Sequence, residues 1–287
     1  MTRIRFSEAE LRTGRADPEQ VLRAVQAIDE DGFVALEGVV AREHIRLLRE
    51  RMREDLPIIL ARKDVPFNFT RSNVQQDPPP LEPYLFKDVL LNEFVIAVTH
   101  AIMGDGVQND FYSGNTALPS TPQRQPVHVD MGHLWPNMKV ATPPYALVVN
   151  LTLGAVSAAN GSTEIWPGTH RDTSVPLSAG DIKVDQDRLE AQRRARPPLQ
   201  PELDEGTVLI RDMRLWHAGM PNPSNEPRFM LAMIHWVGWW PCGGRIKVPA
   251  AAKEFFEHPV LRTHAEFVEG EIPYLGNNTA YDLEEPS

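Results

Sequence analysis

Two short stretches of this 287-residue chain carry side chains that could do chemistry together. His128-Val129-Asp130 sets an imidazole and a carboxylate two residues apart, and Trp216-His217-Ala218-Gly219 brings a second imidazole, with Arg228 further on. On a strand, residues two apart face the same side, so His128 and Asp130 can aim at one point while Val129 faces away. Two imidazole nitrogens and one carboxylate oxygen on one face of an ion suit Fe(II) better than Mg²⁺ or Ca²⁺, and leave positions open for a cosubstrate and O₂. Zinc accepts the same ligand types. A His-Xaa-Asp pair by itself is common, and His217 and Arg228 are what lift this one above chance. Arg228 opens the apolar run Phe229-Met230-Leu231-Ala232-Met233-Ile234, which would let it reach into a barrel beside His217. A buried guanidinium needs a partner, and a carboxylate of a bound dicarboxylate would serve it bidentately. Capping a turn or pairing with an internal Asp are the other ways to satisfy it.

The elements that must position these groups can be read from the apolar spacing. Residues 18–31 repeat apolar side chains at helical intervals (Val21, Leu22, Val25, Ile28), with Asp17 as cap and Pro18 at the first helical position. A glycine-bounded strand at 32–40 and an amphipathic helix at 41–60 follow. Residues 61–84, rich in Pro, Asn and Gln, read as a long loop, and 86–102 as another helix. Short strand candidates then recur at 108–113, 127–130, 145–153, 163–166, 207–211 and 229–237, a pattern of sandwiches and barrels. A charged, helix-favouring insertion at 178–201 suggests a lid or a subunit contact. The tail after Ala250 is expected to cover the barrel mouth.

Composition narrows the function classes. Lys+Arg 29 against Asp+Glu 39 leaves a net charge of −10, which offers no footprint for nucleic acid or an anionic membrane. The one basic run, 188–196, is interleaved with acids and reads as a solvated helix. A single cysteine, Cys242, rules out an internal disulfide and a Cys-based metal cluster and fits a reducing, cytoplasmic location. No signal-peptide pattern and no run of 18 apolar residues is present. The 26 prolines are about twice the average share of roughly 5%, favouring short strands and loops over a helical bundle.

Taken together, Asp31-Gly32-Phe33-Val34-Ala35-Leu36-Glu37-Gly38-Val39, the His128/Asp130 pair, Asn160-Gly161-Ser162-Thr163-Glu164-Ile165-Trp166-Pro167-Gly168-Thr169-His170, and His217 through Asn222, Ser224 and Arg228 resemble the phytanoyl-CoA dioxygenase family of Fe(II)/2-oxoglutarate oxygenases. The resemblance covers most of the chain. It implies a mainly β fold with flanking helices around a double-stranded β-helix (jelly-roll, cupin-like) core. One domain over 1–287 is expected: a mostly helical flank at 1–105, the core at 106–240 with the 178–201 insertion, and a C-terminal segment at 241–287. It further implies iron held by His128, Asp130 and His217, 2-oxoglutarate anchored by Arg228, and O₂ as oxidant. Gln125 and Asn73 become candidates for contacts to the cosubstrate, although both could be ordinary loop amides. Asn150-Leu151-Thr152-Leu153 departs from the acidic pair that many relatives carry, so no carboxylate is carried over there. With Asp130 as ligand, no position is left for the halide of a halogenase.

His133, Trp135 and Trp239 are the candidates for substrate contact, with a loop histidine and rim or core tryptophans as the plainer readings. His170 reads as loop-shaping and His235 as a satisfied barrel residue. The expected reaction is oxidation, by default hydroxylation, of a small metabolite such as a secondary-metabolite intermediate, releasing succinate and CO₂. A cupin-like metalloenzyme without 2-oxoglutarate would have no use for Arg228. A non-catalytic binding protein on the same scaffold would tolerate loss of the ligands. A small-molecule substrate is the expected partner, with neither nucleic acid nor membrane, and homo-oligomerisation stays open.

Overall fold

The computed structural model describes residues 1–176 and 182–283. Strand β1 (Arg3–Arg5) and helices α1 (Glu8–Thr13) and α2 (Pro18–Asp31) open the chain, followed by β2 (Phe33–Glu37) and α3 (Arg42–Leu60). Strands β3 (Phe67–Asn68) and β4 (Thr70–Gln75), then helices α4 (Lys87–Leu90) and α5 (Glu93–Met103), precede β5 (Gln108–Ala117) and β6 (Ala146–Thr152). Next come β7 (Glu164–Ile165), α6 (Gln186–Ala195), β8 (Val208–Asp212), β9 (His217–Ala218) and β10 (Arg228–Trp236). Asp17 accepts from the Glu19 amide at the start of α2, as its sequence suggests. Asn92, accepting from the amides of Phe94 and Val95, caps α5 and so divides the helix expected over 86–102 into two.

The main sheet runs β1-β2-β8-β6-β10-β5-β4-β3, antiparallel from β2 onward. Its two faces are both buried, and the strand period of two sorts the residues between them. Leu147, Val149 and Leu151 of β6, Val208 and Ile210 of β8, and Phe229, Leu231 and Met233 of β10 join the core shared with Ile28, Ile45, Leu48 and Val98 of the helices. The alternate residues, Val148 and Asn150, Leu209 and Arg211, Arg228, Met230 and Ala232, face an internal cavity instead.

A second, fragmentary layer closes that cavity. β7 pairs with β9, Ile165 bridges Leu199, and His128 bridges both His217 and Lys183. The segment around His128 is thus hydrogen-bonded on both sides without becoming a long strand. Helix α6 packs outside this layer, its Leu189 among Val127, Val129, Trp166 and Trp216. Residues 178–181 of the insertion lie outside the described residues, and Ile182, just after them, lines the cavity. The tail does reach the mouth: the Tyr281 amide donates to Phe67 O and its carbonyl accepts from the Phe69 amide, both at 2.9 Å.

The long loop expected at 61–84 is corrected by β3 and β4. Thr70-Arg71-Ser72-Asn73-Val74-Gln75 lacks the apolar alternation of a strand, yet it pairs with β5, and Ser72 and Asn73 are buried under that pairing. Gly32 fixes the junction of α2 and β2. It sits at φ +87°, and a Cβ there would lie 2.6 Å from His170 Nδ1 and 2.7 Å from Leu215 Cδ1. Left-handed strain and overpacking act together, so Gly32→Ala should cost about 2–4 kcal/mol of stability. Urea unfolding, with a lowered midpoint and an unchanged slope, checks this. Among the described residues no helix is long and apolar enough to cross a membrane.

Candidate active site

His128, Asp130 and His217 each offer one ligand atom, and these atoms lie within 4.8 Å of one another. Asp130 Oδ1 is 3.5 Å from His217 Nε2 and 3.9 Å from His128 Nε2. Both imidazoles are anchored in the same way. His128 Nδ1–H donates to Pro126 O at 2.9 Å and His217 Nδ1–H to Leu215 O at 3.0 Å, which leaves each Nε2 with a free lone pair. Burial, and then the neighbouring His217, push His128 down to about 3, so its ring is neutral and fit to ligate. Burial alone would raise Asp130, but the Arg211 guanidinium beside it holds its carboxyl well below the usual range. Arg211 Nη2 donates to Asp130 Oδ2 at 2.6 Å, so one carboxylate oxygen is occupied and the other is turned toward the imidazoles. Two imidazole nitrogens and one charged carboxylate oxygen are the donor set that Fe(II) takes, with room left for further ligands.

The cavity they border has a volume of about 400 Å³ and includes Phe69, Phe111, Met131, Ile234 and Trp236 in its walls. Phe69 is held at φ +60°, its ring 4.5 Å from His128 and edge-on to Tyr281. Arg228 enters the same cavity from the start of β10. Its Nη2 donates to Gly161 O at 3.0 Å and its Nη1 to Asn115 O at 3.5 Å, while Nε has no partner. Among the described residues no carboxylate pairs with it, and burial lowers it from 12.5 to about 10. Of the two plainer roles for Arg228, pairing with an internal Asp is therefore not found.

Gln125 also lines the cavity. Its Oε1 accepts from the Gly219 amide at 2.7 Å, an approach that any side chain at 219 would block, since a Cβ there would lie 2.6 Å from that oxygen. Asn73 sits beside them, fully buried, with both amide atoms unpartnered, but it does not border the cavity.

The three residues expected to touch substrate are elsewhere. His133 is buried away from the cavity, its amide donating to Val175 O, with Arg214, Asp212 and His170 around the ring. Trp135 and Trp239 are 56% and 63% exposed and border no part of the cavity. Trp239 follows the end of β10, whereas Trp236 still obeys that strand's alternation and supplies the aromatic wall, with Trp240 stacked on it. Arg211, Phe69 and Tyr281 were not singled out from the sequence. Only Arg211 carried a usable signal, a charge at the cavity-facing parity of an apolar strand.

His133 and His235, the latter against the Thr99 hydroxyl at 3.0 Å, are lowered to about 4 and about 3, both mainly by burial. The unfolded chain takes up these protons below about 6.5, so stability is full above that pH and falls as pH drops toward 4. Each histidine should add a slope of about 1.4 kcal/mol per pH unit, and His235→Gln should remove one such contribution. Urea unfolding of metal-free protein between about pH 7 and about pH 5 measures it.

A jelly-roll sheet closed by a fragmentary second layer, with a His/Asp/His set at one end of the cavity and a lone guanidinium in its wall, defines a metal-dependent oxygenase scaffold. The phytanoyl-CoA dioxygenase (PhyH) family model matches residues 28–230, and the chain belongs to that family. It is a non-haem iron and 2-oxoglutarate-dependent dioxygenase. The iron/alpha-ketoglutarate-dependent dioxygenase ausU of Aspergillus calidoustus is 28% identical over 221 residues, 73% of this chain and 68% of that protein. Dioxygenase af480 of Aspergillus fumigatus is 26% identical over 151 residues, and there the match spans only 43% of the relative's length. In fold the chain is similar to EctD from S. alaskensis, solved with 2-oxoglutarate and 5-hydroxyectoine (TM-score 0.56, 19% identity, 75% of each chain). It is also similar to the epimerase SnoN, solved with Fe³⁺, alpha ketoglutarate and nogalamycin RO (TM-score 0.59, 16% identity, 77% of this chain and 84% of that one).

Proposed function

We propose that this dioxygenase hydroxylates a small, largely apolar metabolite, a secondary-metabolite intermediate, with His128, Asp130 and His217 as the iron ligands and Arg228 as the clamp for 2-oxoglutarate. The observation that carries the reading is Arg228: buried, charged and without a carboxylate partner, in the wall of the cavity that the three ligands border. A distal carboxylate would complete it, and a cupin-like enzyme that dispensed with 2-oxoglutarate would have no reason to bury that charge. When bound, iron and 2-oxoglutarate supply the activation of O₂, one oxygen atom passing to the substrate C–H bond and one to succinate as CO₂ departs. The chain's own residues do the rest. The backbone carbonyls of Pro126 and Leu215 fix the imidazole tautomers, Arg211 fixes the carboxylate, and Gln125 holds the Gly219 backbone beside the clamp's cavity. Asn73, with two unpartnered amide atoms close to Gly219, is assigned to the cosubstrate end. Phe69, Phe111, Met131, Ile234 and Trp236 in the walls leave the choice of C–H bond to shape.

One catalytic domain over 1–287 with a cytoplasmic location goes with this reading. A succinate-release assay over a panel of candidate metabolites, run with and without 2-oxoglutarate, tests it. Succinate coupled to substrate oxidation is the expected result, and substrate oxidation independent of 2-oxoglutarate overturns it.

A further inference from the structure

The cavity holds a second guanidinium whose hold on Asp130 leaves one of its nitrogens unused. Arg211 is 6% exposed on β8. Two of its three nitrogens are engaged: Nη2 with Asp130 Oδ2 at 2.6 Å and Nε with Asn150 Oδ1 at 3.2 Å. The third, Nη1, is buried without any partner, although Arg211 lines the cavity. Such a group is costly unless an acceptor completes it.

Charge bookkeeping says what kind of acceptor. Among the described residues that line the cavity, Asp130 is the only acid, and Arg211 and Arg228 are the cations. A divalent ion, one carboxylate and two guanidiniums sum to three positive charges. A dicarboxylate cosubstrate removes two and leaves one positive charge in the cavity without a counter-charge.

Resting on the iron and 2-oxoglutarate reading above, we infer that Arg211 is the substrate-recognising residue of this site, and that the substrate carries a carboxylate, which takes Nη1 while Nη2 keeps Asp130 in place. The substrate class is therefore an apolar carboxylic acid, bound with its acid group beside the metal-ligating carboxylate's own partner. The oxidised carbon then lies close to that acid group, because the same guanidinium holds both the substrate and the ligand Asp130.

The test compares acids with their matched alcohols, which share shape and lack the charge. Wild type, Arg211→Gln and Arg211→Lys are loaded anaerobically with Fe(II) and 2-oxoglutarate. Each is titrated by calorimetry with hexanoate against hexanol, phenylacetate against phenylethanol and cinnamate against cinnamyl alcohol. A hydrogen bond to a charged group predicts that at least one acid binds wild type about tenfold or more tighter than its alcohol. Arg211→Gln, whose amide can still donate to Asp130, should bring that ratio close to one by weakening the acid alone. Arg211→Lys should restore most of it. A lost grip on Asp130 would weaken acid and alcohol alike and leave the ratio unmoved, so an unchanged ratio in Arg211→Gln overturns the inference. So does a wild type that prefers no acid in the panel. A parallel titration with 2-oxoglutarate separates the two sources of carboxylate: if Arg211→Gln loses 2-oxoglutarate affinity and keeps the acid preference, Nη1 serves the cosubstrate and the inference fails. Failure of the underlying reading has its own signature, a wild type that binds no 2-oxoglutarate at all.

Discussion

Asp130→Ala should lose both its iron and its turnover. Positions that only support a metal ligand typically cost 10–100-fold when changed, so removal of the ligand itself should lower succinate release by more than about 100-fold. The surroundings leave no substitute. Among the described residues lining the cavity there is no other carboxylate, and the oxygen facing the imidazoles at 3.5 and 3.9 Å disappears with the side chain. Arg211 makes matters worse. With Asp130 gone, its charge faces the metal position uncompensated, and Coulomb repulsion opposes reloading even at high iron concentration. Iron content by metal analysis and succinate release, measured on the same preparation, check the outcome. A variant with stoichiometric iron and normal turnover would remove Asp130 from the ligand set. Asp130→Asn separates shape from charge: it keeps an oxygen near the imidazoles and loses the charge that Arg211 pairs with, and it should fall between the two.

Much of this site was legible in the sequence because strand alternation is a strict rule. His128 and Asp130 share a face by their spacing, and Arg228, Met230 and Ala232 share one by theirs. The same rule reaches Arg211 in Thr207-Val208-Leu209-Ile210-Arg211, since Val208 and Ile210 belong to the helix-side core and Leu209 and Arg211 to the cavity. What parity could not supply was which of two buried faces is the cavity, because β6 and β8 are buried on both. Phe69 and Tyr281 escaped for a different reason. They come from a polar edge hairpin and from the tail, brought together by the two backbone hydrogen bonds of Tyr281 with Phe67 and Phe69, and no local pattern encodes that contact. Trp135 and Trp239 misled because aromatic bulk says that a side chain buries area somewhere, whereas Trp135 lies in the long connection between β5 and β6 and Trp239 just past the end of β10.

Arg228→Met should make the cosubstrate-free protein more stable while it weakens the binding of 2-oxoglutarate. The guanidinium is charged but pulled down from 12.5 to about 10 by burial alone, and keeping it ionised in the fold costs about 3 kcal/mol. The contacts to Gly161 O and Asn115 O offset only part of that, since Nε stays unpartnered. Methionine is similar in length and carries no charge to desolvate, so the substitution should raise the unfolding free energy of the metal-free protein by about 1–4 kcal/mol, the range seen when buried ions give way to apolar side chains. Cosubstrate binding should move the other way. The distal carboxylate loses its charge-assisted partner, and truncating one side of a buried charge pair costs about 2–5 kcal/mol, a rise in the 2-oxoglutarate Kd of about 30-fold or more. Unfolding curves recorded with and without 2-oxoglutarate read both effects at once. Wild type should gain stability on adding the cosubstrate and Arg228→Met should gain much less at the same concentration, although it starts from a higher value. The opposite signs are the useful part: a residue kept only for packing or for capping the turn would lose stability when replaced, and only a charge held ready for a ligand predicts a protein that becomes more robust as it stops working.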